Sequence, residues 1–352
     1  MKHQSLIILA NENSTDHQQW VEACNGHKEG IIYKIVNLSS SDWLNEIKRC
    51  DADYFLSRPP GLSSVFKQLY DERLYIIANV LQKPVYPSLE ECLIYENKRF
   101  LYTWLAAQKI PHPNTNIFYN INEGEKFIKD SHFPLVAKTN IGASGSGVTI
   151  LYSEKDAIKY LRRVFFGNGA PKRWGPNFSK GGLLKRGFQY VIHPNFIFQK
   201  INIYKKKRLE VQKDFVIFQE FISHDFEWRV VRIGDSFFAH KKLKTGEKSS
   251  GSLIKGYENP PLKLLDFVKG ITDKHHFYSQ AIDIFEDNER EYLVNEMQCI
   301  FGQSDPFQML VGGKKGRYRF LEKKWIFEEG DFARNACFDL RLEYVLSKMR
   351  SV

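Results

Sequence analysis

The stretch Pro134-Leu-Val-Ala-Lys138-Thr-Asn-Ile-Gly142-Ala-Ser-Gly145-Ser-Gly147-Val148 joins an apolar segment, a lysine and a loop of small residues. A second apolar segment covers 148–152, so the pattern predicts two strands connected by the loop. Glycines allow backbone N–H groups to turn toward one point, and such a cradle suits phosphate oxygens. Lys138 adds a positive charge beside that cradle. The stretch therefore predicts a phosphate-binding loop made of Gly142, Ala143, Ser144, Gly145, Ser146 and Gly147.

Other glycine-rich motifs explain this loop less well. A Walker A motif ends in Gly-Lys-Ser/Thr at the start of a helix, and the loop lacks that ending. The dinucleotide-binding motif leads from a strand into a helix, whereas this loop leads into another strand. A plain Gly/Ser hairpin turn remains the structural alternative.

The length and composition are those of a globular protein with more than one folded unit. A chain of 352 residues predicts two to three units. Its 43% hydrophobic and 26% charged residues are ordinary for globular proteins, and no apolar run approaches the ~18 residues of a membrane span. The five cysteines are scattered without metal-ligand spacing, which predicts a reducing, cytoplasmic location.

Positive charge is concentrated in one segment of the chain. The net charge is +10, and between 165 and 215 eleven Lys and Arg residues stand against only Glu210 and Asp214. This local excess of +9 favours an anionic substrate or an anionic surface as a contact of that segment.

We expect three segments along the chain. Residues 1–92 predict a small parallel α/β domain, with strands at 6–10, 31–36, 54–56 and 84–86 and helices at 16–24, 41–50 and 63–81. A predicted helix at 88–108 crosses the boundary to the second segment, 93–222, which contains the loop, a helix at 154–166 and a basic insertion at about 167–214. Residues 223–352 contain strands at 228–233, 236–242 and 292–299 and a last helix at 332–349 with Asp331 as its N-cap.

One arginine of the first segment is a substrate candidate. Arg58 follows directly on the third predicted strand. Ligands bind at the carboxyl ends of strands in open parallel sheets, so Arg58 stands where a substrate would lie. A solvated arginine in a turn is the alternative interpretation.

Two charged faces are predicted on the strands that follow the basic insertion. The period of two places Glu227, Arg229 and Val231 on one face of the first strand, and His240, Lys242 and Lys244 on one face of the next. An inward-pointing charged pair is costly unless it is matched by other charges or binds a ligand. Upstream, Gln219-Glu220-Phe221-Ile222 is an apolar strand ending that can offer backbone groups to an adenine edge.

Two further apolar strands carry oxygen-bearing side chains. Asp283 lies in one strand, while Glu296 and Gln298 lie two residues apart, and hence on one face, in the next. Oxygen ligands on a rigid sheet, completed by phosphates and water, are what Mg²⁺ prefers. We interpret these residues as a metal site, with salt-bridge partners as the alternative.

In this order the motifs closely resemble the ATP-grasp superfamily, above all its ribosomal-protein glutamate ligases and glutathione synthetases. The resemblance covers about 95–302 and implies an ATP-grasp fold of α/β and α+β parts behind an N-terminal α/β domain. It implies that ATP is bound by Lys98 and Lys138, the glycine loop, the 219–222 strand end and Glu227. It also implies Mg²⁺ (or Mn²⁺) on Asp283, Glu296 and Gln298, and Arg229 with Lys242 or Lys244 facing an acyl phosphate.

The function implied by the resemblance is that of an ATP-dependent carboxylate–amine ligase. Two alternatives stay open. One is a kinase that transfers the γ-phosphoryl group of ATP to a hydroxyl of a phosphorylated small molecule. The other is a non-catalytic nucleotide- or nucleic-acid-binding protein that uses the basic segment with its interleaved aromatic residues. Three departures from the family pattern matter. Gln298 stands where relatives usually have Asn, Glu227 stands where they often have Asp, and they lack the long basic segment.

Overall fold

The computed structural model describes residues 5–142, 145–173, 203–206, 208–245, 248–249, 254–287 and 291–350. The chain forms two compact units. Unit 1 combines Met1–Pro60, Val65–His112 and Ser223–Val352, and unit 2 combines Gly61–Ser64 with Pro113–Ile222. The three-segment division of the sequence stays a prediction. In the described part of the chain, the helices are too short or too polar to cross a membrane.

The first part of unit 1 is a parallel sheet of four strands in the order β2-β1-β3-β4. Helices cover the connections between the strands, and a π-helical turn, Ile76–Val80, extends the third helix. Apolar runs such as Leu6–Leu9 are fully buried because helices lie on the sheet. The parallel α/β arrangement predicted for this region is confirmed. Its elements are β1 (Ser5–Ala10), α1 (Gln18–Gly26), β2 (Ile32–Asn37), α2 (Trp43–Lys48), β3 (Tyr54–Ser57), α3 (Ser64–Tyr75) and β4 (Val85–Tyr86).

Two helices replace the single helix predicted at 88–108. Helix α4 (Leu89–Ile94) begins with a capping box between Ser88 and Glu91. Helix α5 (Lys98–Ala107) begins at Asn97, whose side chain accepts a hydrogen bond from the backbone of Phe100. Between them Glu96 has a φ of +48°, which an α-helix does not tolerate. The prediction of one continuous helix is therefore wrong.

Unit 2 contains an antiparallel sheet of four strands in the order β5-β8-β6-β7. The predicted strand–loop–strand pattern is confirmed, since β6 and β7 pair antiparallel on either side of the loop. Helix α7 covers the 154–166 range predicted for it and begins at the N-cap Ser153. The elements are β5 (Thr115–Phe118), α6 (Ile121–Lys129), β6 (Leu135–Lys138), β7 (Val148–Leu151), α7 (Glu154–Phe166) and β8 (Val216–Glu220).

The rest of unit 1 is a nine-stranded sheet whose main path is β14-β13-β9-β10-β16-β15. Strands β11 and β12 pair with β10, and β17 pairs with β16. The elements, with helix α8 between β12 and β13, are β9 (Phe226–Ile233), β10 (Ser236–Thr245), β11 (Lys248–Ser249), β12 (Lys255–Gly256), α8 (Leu262–Lys274), β13 (Ser279–Glu286), β14 (Tyr292–Gln298), β15 (Leu310–Val311), β16 (Lys314–Leu321) and β17 (Lys324–Glu329).

The last helix begins later than predicted. Helix α9 spans Phe338–Met349, and a 3₁₀ turn, Arg334–Cys337, precedes it. Asp331 is therefore not the N-cap. Asn335 and Ala336 in this turn have positive φ values. The Asn335 side-chain amide donates to the carbonyl of Gln19, and Arg341 donates to the carbonyl of Ala336.

Candidate functional site

An ion-pair network crosses three neighbouring strands of the large sheet, β10, β9 and β13. It consists of Glu227, Arg229, Lys242 and Asp283. Arg229 Nε and Nη2 lie 2.7 and 2.8 Å from the two oxygens of Asp283, a bidentate geometry. Lys242 Nζ lies 2.7 Å from Asp283 Oδ2 and also donates to Glu227 Oε2. The strand register explains this arrangement, because Arg229 is directly opposite Asp283 and Lys242 is opposite Glu227.

The network is buried, so each charge depends on its partners. Asp283 is 1% exposed, Lys242 4% and Glu227 5%. Burial favours the neutral acid, but the charge of Arg229 and then that of Lys242 outweigh it and hold the pKa of Asp283 below its ordinary value. The pKa values of Arg229 and Lys242 are raised, since Asp283 overcomes the burial that would lower them. All three groups therefore remain charged at neutral pH.

Strand β14 carries the remaining oxygen-bearing side chains beside this network. Lys98 at the start of α5 lies 3.4 Å from Glu296 Oε1, and Gln298 Nε2 donates to the same oxygen at 2.9 Å. Asn295 Nδ2 donates to Glu227 Oε1 at 3.3 Å, which links β14 to the ion-pair network. The register between β13 and β14 shifts after Asp283, a β-bulge that gives Asn295 this position.

The predicted metal ligands have the right chemical type for a hard cation, but their positions do not form a metal site in this structure. Asp283, Glu296 and Gln298 offer oxygen ligands of the kind Mg²⁺ takes. Both oxygens of Asp283, however, accept hydrogen bonds from Arg229 and Lys242. Among the residues that the structure describes, no group of three or more His, Cys, Asp or Glu residues is placed to hold a metal ion. The metal assignment stays a prediction that requires Asp283 to exchange partners.

The predicted phosphate loop lies in unit 2 and is built on close backbone packing. Lys138 is buried at the end of β6, and the backbone N–H of Thr139 donates to the carbonyl of Gly147 at 2.9 Å. A Cβ added to Gly147 would lie 1.7 Å from Thr139 Oγ1, so any larger residue there must displace the Thr139 side chain. Gly145 has a φ of +65°, and Ser146 lies in the same turn. Ala143 and Ser144 of the predicted loop lie outside the described residues.

The predicted adenine-binding segment is the end of β8. Gln219 is buried and its Nε2 donates to Thr115 Oγ1 at 2.8 Å. Glu220 is exposed and its Oε1 accepts from the backbone N–H of Asn114 at 2.6 Å. Phe221 and Ile222 follow after the strand has ended. Their roles toward a nucleotide stay predictions.

Within unit 1 the structure links seven predicted site residues to one another, and the contacts that link them do not include Lys244. Lys98, Glu227, Arg229, Lys242, Asp283, Glu296 and Gln298 are linked by the contacts described above. Lys244 lies two residues beyond Lys242 on β10, where its backbone N–H donates to the carbonyl of Asp225. It is partly exposed, and its predicted role at an acyl phosphate is untested.

Two neighbouring residues were not among the predicted site residues. Glu96 Oε1 lies 3.4 Å from Gln298 Nε2, and Asn295 contacts Glu227. The available signals were local: Glu96 stands two residues before Lys98, and Asn295 directly precedes Glu296.

Comparisons with known proteins concern the fold. No protein-family model matches the chain, and no curated protein sequence matches it. D-alanine–D-alanine ligase from Bacillus anthracis is similar in structure, with a TM-score of 0.52 and 15% identity over 99% of each chain. The same enzyme complexed with ATP matches with a TM-score of 0.52 at 14% identity, again over 99% of each chain.

A second kind of enzyme gives the same result. The ADP complex of N5-carboxyaminoimidazole ribonucleotide synthetase matches with a TM-score of 0.52 and 13% identity, over 85% of this chain and 71% of that chain. The described chain has one parallel sheet and two antiparallel sheets, which with these likenesses confirms the predicted fold class of α/β and α+β parts behind a small N-terminal parallel α/β domain. The chain therefore has the ATP-grasp fold.

Proposed function

We propose that this protein is an ATP- and Mg²⁺-dependent carboxylate–amine ligase that acts through an acyl phosphate. The observation that carries the proposal is the buried ion-pair network, in which Arg229 and Lys242 are held by carboxylates on a rigid sheet. The fold supports it, because similar structures include a ligase complexed with ATP. We also propose a cytoplasmic location, since all five cysteines are free.

The proposed reaction has two steps and needs no protein nucleophile. A carboxylate oxygen of the substrate attacks the γ-phosphorus of ATP, which forms the acyl phosphate and releases ADP. An amine then attacks the acyl carbon, which forms the amide and releases phosphate and a proton. Negative charge develops on phosphoryl oxygens in the first step and on the acyl oxygen in the second. Fixed cations stabilise both most effectively when they are already in place.

In this proposal each predicted residue has one task. Arg229, Lys242 and Lys244 stabilise the acyl phosphate, while Lys98, Lys138 and the glycine loop 142–147 bind the phosphates of ATP. Residues 219–222 and Glu227 bind the nucleoside. Mg²⁺ or Mn²⁺, held by Asp283, Glu296 and Gln298, would neutralise phosphate charge during transfer.

Trapping of the intermediate tests the proposal. The purified protein is incubated with ATP, Mg²⁺, hydroxylamine and a panel of amino acids and uronic acids, and hydroxamate and ADP are measured. At least one carboxylate should yield hydroxamate in proportion to ADP, because hydroxylamine captures an acyl phosphate. If no carboxylate in the panel increases the amounts of ADP and hydroxamate formed, the ligase proposal is contradicted. A phosphorylated hydroxyl compound without hydroxamate would indicate the kinase instead.

A pair of lysine variants makes the test specific to the site. Lys138 is buried at the end of β6, whereas Lys155 is exposed on α7 of the same unit. Lys138→Ala should lower hydroxamate formation by about 10²- to 10³-fold, the usual cost of removing one group that stabilises the transition state. Lys155→Ala should retain wild-type turnover. Equal activity of the two variants would remove Lys138 from the proposed mechanism.

A further inference from the structure

Arg58 is held in a fixed position at the carboxyl end of the parallel sheet. It directly follows β3, and its Nε donates to the carbonyl of Asp16 at 2.9 Å. Its backbone N–H donates to the hydroxyl of Tyr70 at 2.9 Å, and its guanidinium is hydrogen-bonded to the side chain of Tyr95. Two contacts therefore hold the guanidinium and a third holds the backbone of Arg58, at the edge of the sheet where ligands of open parallel sheets bind.

One donor of this guanidinium is not matched by the protein. Nη1 of Arg58 is enclosed and has no hydrogen-bond partner among the residues that the structure describes. The nearby carboxylate of Asp16 is engaged elsewhere, since it accepts from Asn13 at 2.7 Å and from Asn11 at 3.1 Å. An unmatched charged donor is costly, so its retention in a fixed position points to an external acceptor.

The side chain also has the charge that an anionic ligand needs. Burial lowers the pKa of Arg58, but Tyr95 and then Asp16 raise it above its ordinary value, so the guanidinium is always charged. As a whole residue Arg58 is partly exposed. A guanidinium presents paired N–H groups that match the two oxygens of a carboxylate.

A chain of contacts within unit 1 leads from Arg58 toward the candidate metal residues. Tyr95, which contacts Arg58, directly precedes Glu96. Glu96 contacts Gln298, and Gln298 contacts Glu296. Arg229 belongs to a different set of contacts, centred on Asp283. A ligand group at Arg58 would thus be connected to Gln298 and Glu296 by a short chain of contacts that does not include Arg229.

We propose that Arg58 binds a carboxylate group of the substrate other than the one that reacts, so that the substrate carries two acidic groups. This inference rests on the proposed ligase function, which supplies the other acidic group, the carboxylate that reacts. It assigns Arg58 to substrate binding and gives it no part in the chemical steps.

Matched acids test the proposal on the wild-type protein. Malonate, succinate, glutarate and adipate are titrated calorimetrically into the full chain with Mg²⁺ and a non-hydrolysable ATP analogue, beside the monocarboxylates of equal carbon number. At least one dicarboxylate should bind about ten- to hundredfold more tightly than its partner, the worth of one charge-assisted hydrogen-bonded pair. A difference below tenfold for every pair would overturn the proposal without any variant.

Variants then locate the preference. Arg58→Gln should reduce the dicarboxylate preference to nearly one, and Arg58→Lys should keep only part of it because the fork of donors is lost. Arg49→Gln, whose side chain is 72% exposed in the same unit, should retain the full preference. If Arg58→Gln does not fold, Arg58→Lys decides, and an unreduced preference in it would overturn the assignment.

Two further arms separate the neighbouring possibilities. If 3-phosphonopropionate binds more than tenfold more tightly than succinate, the group at Arg58 is a phosphate and the carboxylate assignment is wrong. If dicarboxylates bind in an Arg58-dependent way but no acid yields hydroxamate, the anion site stands and the ligase proposal fails.

Discussion

Replacement of Asp283 by Asn should strongly destabilise unit 1, because it removes one carboxylate from a buried network of two cations. Asn has nearly the same shape, so no cavity forms and the effect is electrostatic. The variant leaves Lys242 paired with Glu227 and removes the carboxylate that Arg229 contacts with two nitrogens. Loss of one member of a buried ion pair costs about 3–5 kcal/mol. At about 2 °C for each kcal/mol in a unit of this size, the melting temperature should fall by about 6–10 °C.

Urea and thermal unfolding followed by tryptophan fluorescence measure this effect. Five of the six tryptophans lie in unit 1, so the signal reports mainly on the unit that contains the network. Glu258→Gln is the matched control, since Glu258 pairs with Lys241 but is 63% exposed. Such a pair is worth about 0–1 kcal/mol. Adding Lys242→Met to Asp283→Asn should recover part of the loss. An Asp283→Asn variant as stable as the control would refute the reasoning.

Two more predictions concern other parts of the chain. Burial raises the pKa of Glu91 to about 7, so the folded state binds an extra proton and the free energy of unfolding should fall by about 3 kcal/mol as the pH rises from about 4.5 to 7. Melting curves of the wild type and of Glu91→Gln across that pH range check this prediction. A difference in melting temperature between the two proteins that does not change with pH would contradict it. Gly147→Ala should cost about 1–3 kcal/mol and weaken ATP binding, because its Cβ would meet Thr139. Calorimetric titration with ATP measures the affinity of Gly147→Ala and of the control Gly26→Ala, because no described atom lies within 4 Å of a Cβ added to Gly26. Equal ATP affinities of the two variants would contradict the predicted effect of the clash on binding.

The fold was predictable wherever the pattern is local. The apolar runs of β1 and β3 and the small residues between β6 and β7 specify strands and a tight loop without reference to distant residues. Period-two alternation likewise placed Glu227 and Arg229 on one face. That an inward Arg229 needs a partner followed from the cost of burial.

The partners themselves were not predictable from that pattern. Asp283 reaches Arg229 only through the register of β9 and β13, which depends on tertiary pairing. The sequence interpretation therefore preferred a metal ligand for Asp283, kept a salt-bridge partner as the alternative, and named no partner. The break before Lys98 carries neither Gly nor Pro, so a continuous helix was the natural expectation. Helix α8 is absent from the predictions even though Pro261 precedes buried Leu264, Leu265 and Val268, a spacing typical of a helix.

The placement of Lys98 in the first turn of α5 makes the length of this helix as important as its composition. The helix buries Leu101, Tyr102 and Leu105, and Tyr102 donates to the carbonyl of Asn295 at 3.0 Å. One residue inserted between Lys98 and Leu101 would rotate Lys98 by about 100° relative to that buried face and away from Glu296. Insertions in the break itself, before Asn97, would leave the helix in phase. In natural variants of this chain, insertions and deletions should therefore lie before α5 begins. The number of residues between Lys98 and the buried residues of that helix should stay constant.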